Sequence, residues 1–461
     1  MNRAALLLIP CLAAAALQAQ PGFERTFGGA ADDFGHTALA LADGFLLAGY
    51  TASFGSGAND AYLVRTDAQG ETLWTRVYGS DADDWSFRAI PTADGGCAVV
   101  GYAIRSGRAD LTLLKVDDRG DSAWCRTYGG SSDDLGYGIE LCPDSGFIIA
   151  GATFSYGTGR PNIYVIRTDA LGDTLWTRTY GGAGEEYGFS VAVTRDSGFV
   201  IAGWTTSFGA RGGDVYLIRT DSHGDTLWTR MYGGAGNDYC HTVRQTPDGG
   251  YILAGSTFSY GAGGPDLWLV RTDPDGDTLW TRTYGGTGYD LGHSVDLAAD
   301  GGFAFAGVTR SFGAGDDDVL LVRTDSLGDT LWTRTFGGAE EERAFSVTST
   351  ADRGFALGGS TRSFGAGGAD AWLVRTDSLG RVALAEPGPV RPLPHAGPTI
   401  LRGTLFTPRT PGAGDGSLYT SAGTLALHIS SGCNDISRLA PGFYFLRNGS
   451  AGPPQKLLLL R

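Results

Sequence analysis

Three scarcities bound what this chain is. Cysteine occurs 6 times in 461 residues. With Cys11 inside an apolar leader, the others are Cys97, Cys125, Cys142, Cys240 and Cys433, an odd set without paired spacing. Neither a disulfide framework nor a structural zinc site follows from that pattern, and no metal and no cofactor are expected. Basic residues are the second scarcity, 35 against 50 acidic ones for a formal charge of -15. Such a balance argues against nucleic acid or an anionic membrane as the main partner. Long apolar runs are the third: residues 4–17 offer about 14 small or apolar positions, where a helical membrane span needs about 20.

Those residues follow Asn2-Arg3 and precede the small-residue site Leu17-Gln18-Ala19. The order is that of a secretory leader over 1–19, which places the mature chain outside the cell with no transmembrane segment. What is plentiful is glycine, 74 residues, in a chain that is 42% hydrophobic and 11% aromatic. It is too apolar for disorder and too rich in glycine for a helical protein.

An internal repeat dominates. Asp67, Asp117, Asp169, Asp221, Asp273, Asp325 and Asp377 are spaced by 50 residues and then by 52 each time, a period that belongs to propellers and solenoids. In the unit spanning 180–231, four β-branched and aromatic runs alternate with Gly, Asp and Ser clusters. They predict strands A (188–194), B (198–205), C (214–220) and D (226–232). The C–D connection, Asp221-Ser222-His223-Gly224-Asp225, reads as a hairpin turn.

The ends of the array choose between rod and ring. Strand D carries Trp-x-Arg-x-aromatic six times, from Trp74/Arg76/Tyr78 to Trp332/Arg334/Phe336, whereas there are seven C strands. The missing copy stands at the other end of the array, where Phe23-Glu24-Arg25-Thr26-Phe27 fills the same columns. A strand borrowed from the N-terminal side closes a ring and hides its edges. The expected fold is all-β: a seven-bladed β-propeller over 21–386 with four-stranded blades, a Pro-rich linker over 387–398, and a small β-sandwich over 399–461.

Several columns are candidates for function. Asp33, Asp84, Asp134, Glu186, Asp238, Asp290 and Glu342 precede strand A in every unit. As a ring at a channel mouth they would attract a cation; as repeated loop acceptors they would bind glycine amides or pair with the basic column of strand C or the Arg of strand D. The second reading is preferred, because seven uncompensated carboxylates repel one another. His36, His241 and His293 share a column with Phe87, Tyr137, Phe189 and Phe345, which fits aromatic packing better than metal ligation. The Trp column is expected between blades. A ligand site must be asymmetric, so the repeat-breaking Arg105, Arg108, Arg160, Trp204 and Arg211 are the remaining binding candidates. No nucleophile–base–acid set is visible among these departures.

The run T-D-x-x-G-D-T-L-W resembles both the tryptophan-docking turn of quinoprotein alcohol dehydrogenases and the Asp-box of sialidases, each with altered spacing. Both are fold elements, so neither likeness carries a catalytic residue across. Across 23–380 the chain resembles bacterial β-propeller repeat proteins. Its last segment, with Thr399-Ile400-Leu401-Arg402-Gly403, GCNDISRLAPGFYFLR at 432–447 and a terminal Lys-Leu-Leu-Leu-Leu-Arg, resembles the sorting domain of type IX secretion cargo. The usual central Asp-x-x-Gly-Arg turn is replaced by Thr420-Ser421-Ala422-Gly423. That resemblance implies contact with secretion machinery and a secreted or outer-surface destination. Taken together, the expectation is a monomeric, non-enzymatic scaffold binding a protein or polysaccharide. The alternative is a polysaccharide hydrolase or lyase working at the channel mouth.

Overall fold

The computed structural model describes residues 21–382 except 158 and 211, and beyond them 399–401, 404–407, 416–420, 425–429, 432–435, 439, 442–448 and 455–459. The leader, the Pro-rich linker and Arg211 lie outside the described residues. Every element described is a strand, and no helix there is long and apolar enough to cross a membrane.

Seven four-stranded antiparallel sheets follow one another around a ring. Blade 1 takes strands A to D from Asp33–Leu41, Gly44–Thr51, Asp60–Asp67 and Thr72–Tyr78. In the fourth blade the strands are Glu186–Val193, Phe199–Thr205, Asp214–Thr220 and Thr226–Tyr232. Strand A therefore starts two residues before its expected position, because the acid at its head pairs with Thr205 of strand B. Blade 7 has only three strands of its own, and Phe23–Phe27 supplies the fourth by pairing with Asp370–Thr376 from Phe23↔Arg375 to Phe27↔Ala371. The ring closes as the strand count predicts.

Tryptophan and arginine on strand D explain why blades hold together. Trp124, Trp176, Trp228, Trp280 and Trp332 pack edge-on against Phe147, Phe199, Tyr251, Phe303 and Phe355 of the next blade, with centroids 5.8–6.0 Å apart. Each Trp is covered by its own blade's Arg, 5.4 Å away for Arg126 over Trp124, a cation–π contact. The same guanidiniums, except Arg334, whose following turn carries Arg381, reach acids of the following C–D turn, as Arg126 does to Asp173 at 3.4 Å and Arg230 to Asp277 at 3.3 Å. Tyr128, Tyr180 and Tyr232 donate their hydroxyls to the carbonyls of Gly172, Gly224 and Gly276, all at 2.6 Å. That turn glycine has φ near +80° and lies against the preceding blade's Trp ring, so a side chain there is excluded twice over.

The borrowed strand repeats the staple. Phe23 packs edge-on against Phe45 at 5.6 Å, Arg25 lies over Phe23 at 5.3 Å, and Arg25 meets Glu71 at 3.2 Å. Among the described residues, buried side chains form seven clusters. The one at the seam joins Phe23 and Phe27 to Phe45, Leu47, Ala356 and Leu373.

The basic column of strand C sits at the opposite end of the blade from the acids proposed as its partners. Arg65, Lys115, Arg167, Arg219, Arg271, Arg323 and Arg375 instead reach Asp43, Asp94, Asp144, Asp196, Asp248, Asp300 and Asp352 in the A–B turns of their own blades. Antiparallel register decides this, because the end of strand C lies beside the start of strand B. Past residue 398 the described strands form a five-stranded sheet and a two-stranded ladder, in which Thr399–Leu401 runs parallel to Gln455–Leu459.

Phe23 is 6% exposed and Leu73, on the corresponding strand of blade 1, is 57% exposed. Phe23→Ala is expected to cost about 3–5 kcal/mol, the usual range for deleting a buried aromatic. Leu73→Ala should change stability by about 0.5 kcal/mol or less. Urea unfolding midpoints of the two variants against the parent check both; equal midpoints would mean that the seam contributes nothing to stability.

Candidate functional site

Two sets of loops share one face of the ring: the D–A loops that lead into strand A and the B–C loops. The acids heading strand A lie beneath these loops, buried rather than lining an open mouth. Asp33 accepts from the Gly29 amide at 2.8 Å, from Ser53 Oγ at 2.6 Å and from Thr51 Oγ1. Asp238 and Asp290 repeat the set with Gly234, Ser259 and Thr257, and with Gly286, Ser311 and Thr309. Asp134 takes the Gly130 amide and Ser155. Glu186 takes Gly182 and Thr205, and Glu342 takes Gly338, Thr361 and Ser363. In blade 2, Ala103 and Arg105 replace the Thr and Ser of the other blades, and Asp84 is held by the amide and hydroxyl of Ser80 instead.

A second carboxylate heads strand C and faces the next blade's acid across a glycine. A Cβ on Gly233 would touch both Asp214 and Asp238, and one on Gly285 both Asp266 and Asp290. Like charges so close raise the affinity for protons. Asp60 is pushed up to about 6, by burial first and then by Asp84 and Asp83, against the Gly57 and Ser56 amides that donate to it. Asp370 is likewise pushed up to about 6, by burial and then by Asp33, against the Ala366 amide. Blade 3 carries Asn162 in this column, opposite Glu186.

Strand A also shapes the channel. In every blade its pairing with strand B skips one residue, as between Gly35 and Thr37. Such a bulge re-aims the extra side chain. The skipped residues are His36, Phe87, Tyr137, Phe189, His241, His293 and Phe345, and they meet in an unbroken collar. Successive centroids lie 5.2, 5.4, 5.3, 5.2, 5.2 and 5.3 Å apart, and Phe345 returns to His36 at 4.5 Å. Burial pulls His36 and His241 down to about 4. His293 lies well below its usual value, by burial first and then by His241, His36 and Arg343. These imidazoles are neutral packing elements at ordinary pH.

Two aromatic arcs rest on this collar, forming a cup at the loop face. One runs through Phe34, Tyr50, Trp85 and Tyr102, with centroids 5.0, 4.1 and 6.1 Å apart. It touches the collar through Tyr50 on His36 at 5.5 Å and Tyr102 on Phe87 at 5.7 Å. The other runs through Tyr187, Trp204, Tyr239, Phe258 and Tyr289 at 6.0, 5.6, 6.3 and 6.1 Å. Blade 3 interrupts them with Leu135 and Ala152, and blade 7 with Arg343 and Ser360. The arcs break the sevenfold symmetry.

The structure scatters the repeat-breaking candidates. Trp204 stands in the second arc. Arg105 and Arg108 face each other across an exposed hairpin tip, where Arg108 donates to the Gly130 carbonyl at 3.4 Å. Arg160 pairs with Glu185 at 3.4 Å. Sequence reasoning missed two columns. One is the residue after each acid, where Phe34, Trp85, Tyr187 and Tyr239 stand with their strand-B partners Tyr50, Tyr102, Trp204 and Ser256. The other is the residue before it, where Asp32, Asp83, Asp133, Glu185 and Glu341 edge the cup. Comparing those flanking columns between units would have exposed the uneven aromatics.

No protein-family model matches the chain. A curated relative, regulatory protein FlaEY of Caulobacter vibrioides, is 27% identical over 228 residues, which cover 46% of this chain and 23% of that protein. The chain thus spans less than a quarter of that relative. Among solved structures, the puromycin hydrolase S511A mutant has a TM-score of 0.49 at 16% identity, over 78% of this chain and 55% of that one. The Pan2 WD40 domain of Neurospora crassa scores 0.46 at 10%, over 82% and 95%. PorZ of Porphyromonas gingivalis, a surface component of its type IX secretion system, scores 0.45 at 12%, over 94% and 60%. Similarity this distant says nothing about a ligand or a reaction.

A carboxyl held above its ordinary value of 3.8 retains its proton longer in the folded state, so it costs stability at neutral pH and the cost fades as pH falls through about 6 toward 4. Asp60→Asn and Asp370→Asn, which copy Asn162, are therefore expected to raise Tm over the parent near pH ~7.5 and to lose that advantage near pH ~4. Thermal melts of parent and variants across that range decide it; a lower Tm at neutral pH would mean that the ionised carboxylates are needed.

Proposed function

We propose that this chain is a secreted or cell-surface, non-enzymatic β-propeller that binds a protein or a glycan in the aromatic cup. The two ring arcs above the collar carry this reading, for three reasons. Aromatic faces supply large contact area at small conformational cost. The arcs depart from the repeat, as a specific site must. The collar narrows the channel beneath them, so a broad ligand engages the mouth.

The thiols of Cys97, Cys142 and Cys240 favour binding over covalent chemistry. Burial pushes each up to about 12, leaving them poor nucleophiles. The acids heading strand A are committed to loop amides and hydroxyls, which suits supports of the cup better than direct ligand contacts. Export rests on the expected leader over 1–19 and on the sorting-like segment over 399–461.

Pull-downs from the native medium and surface extract, together with a glycan array, test the binding role. The parent should retain a ligand that Trp85→Leu and Trp204→Leu each weaken by at least about tenfold, a loss of about 1.4 kcal/mol, without a fall in Tm. Retention indifferent to both variants would overturn the cup as the binding site. Deleting 399–461 should trap the protein inside a type IX-competent host; continued release would overturn the sorting role.

A further inference from the structure

The two arcs differ in the charge at their rims. The residue before each strand-A acid edges the cup, and in three blades it is neutralised. Asp32 meets Arg362 at 3.3 Å, Glu185 meets Arg160 at 3.4 Å, and Glu341 meets Arg343 at 3.5 Å. In blades 5 and 6 that column is uncharged, with Asn237 and Tyr289. Only Asp83 and Asp133 remain, and among the described residues neither is in an ion pair. Asp83 accepts from Asn59 Nδ2 at 2.9 Å and Asp133 from the Ala109 amide at 2.8 Å, neutral donors that bring no cation into contact with either carboxylate. Both act on the first arc: Tyr102, already raised by burial, is raised further by Asp83 and Asp133. Of the cations of the same blade, Arg108 is turned to Gly130, and Arg105, at the hairpin tip, favours the ionised Asp84 from a distance without pairing with Asp83 or Asp133.

We propose that Phe34, Trp85 and Tyr102, held by the buried Tyr50 and with Asp83 and Asp133 at their rim, seat a lysine side chain of a partner polypeptide. This rests on the cup being the ligand site. The π-face of each ring carries negative potential and attracts a cation, most strongly for Trp. A lysine stem lays its methylenes along the rings while the ammonium reaches the rim. The ammonium has three N–H donors for carboxylates that lack a cationic partner. A neutral sugar would leave those charges unanswered, and a quaternary ammonium has no N–H to offer them. The acidic balance of the chain draws a basic partner from a distance.

Calorimetry on the full chain tests this with a pentalysine peptide, the same peptide acetylated on every ε-nitrogen, and choline-headed vesicles. Pentalysine should bind, weaken as salt rises, and lose at least about tenfold in affinity on acetylation. D83N/D133N should lose at least about tenfold at unchanged Tm, since each Asn keeps the acceptor used by Asn59 or Ala109. D173N/D225N, which removes two acids from the opposite face, should bind as the parent does. Equal binding of the acetylated peptide, unchanged affinity of D83N/D133N, or vesicles outcompeting pentalysine would each overturn the lysine seat. Should pentalysine fail while a partner from native extract still depends on Trp85 and Trp204, the lysine assignment falls and the cup stands; indifference of that partner to both Trp variants removes the cup as well.

Discussion

Blade-to-blade contact is the constraint that governs this molecule. A four-stranded antiparallel sheet buries its faces only against other sheets, so each blade is half of two cores. The Trp-x-Arg-x-aromatic strand links neighbours up to three times: in most blades a ring packs against the next blade's aromatic, a guanidinium reaches its turn acid, and a tyrosine hydroxyl donates to its turn glycine. A linear stack would leave one such strand unmatched and one turn uncovered. Borrowing Phe23–Phe27 satisfies both at once, since Arg25 and Phe23 engage Glu71 and Phe45 as the other blades' staples engage theirs.

Closure turns one repeated position into a shared one. A bulged residue in each strand A would be seven unrelated aromatics on an open array; on a ring they touch in sequence from His36 to Phe345 and back. The same geometry gathers carboxylates. Asp214 and Asp238 belong to different blades, yet one loop glycine lies between them. Glycine is required there because the acids approach its α-carbon from both sides, which also gives the D–A loop a reason for its composition beyond backbone freedom.

The cup shows how a symmetric scaffold acquires an asymmetric surface. The loop geometry is common to all blades, while the residues flanking each strand-A acid vary freely, because they face the mouth and not a core. Two stretches of that circumference became aromatic, one became arginine-rich, and one kept its acids unpaired. Local chemistry on a fixed frame is enough to distinguish the sectors without lengthening a loop.

Much of the fold was legible before any coordinates. The Trp74 to Trp332 column, the spacing of the Arg-Thr-Asp segments and the motif at Phe23–Phe27 are covalent facts, and together they required seven four-stranded units with a borrowed strand. The Asp33 to Glu342 column was legible as a repeat, and its role as a loop acceptor was the preferred reading. The glycine amides expected as its partners do donate to it; the alternative pairing with the strand-C arginines fails, because those lie at the other end of the blade. The cup was not legible: Trp85 and Tyr50 are 35 residues apart in the chain, and nothing in either unit says that their ring centroids lie 4.1 Å apart. Sequence alone determined how many sheets form and which strand closes them, since periodicity and hydrogen-bonding pattern are properties of the chain taken in order. Tertiary structure alone decided which side chains share the mouth, which carboxylates face each other and which charges stay unpaired, because those depend on distances across blade junctions that no local pattern encodes.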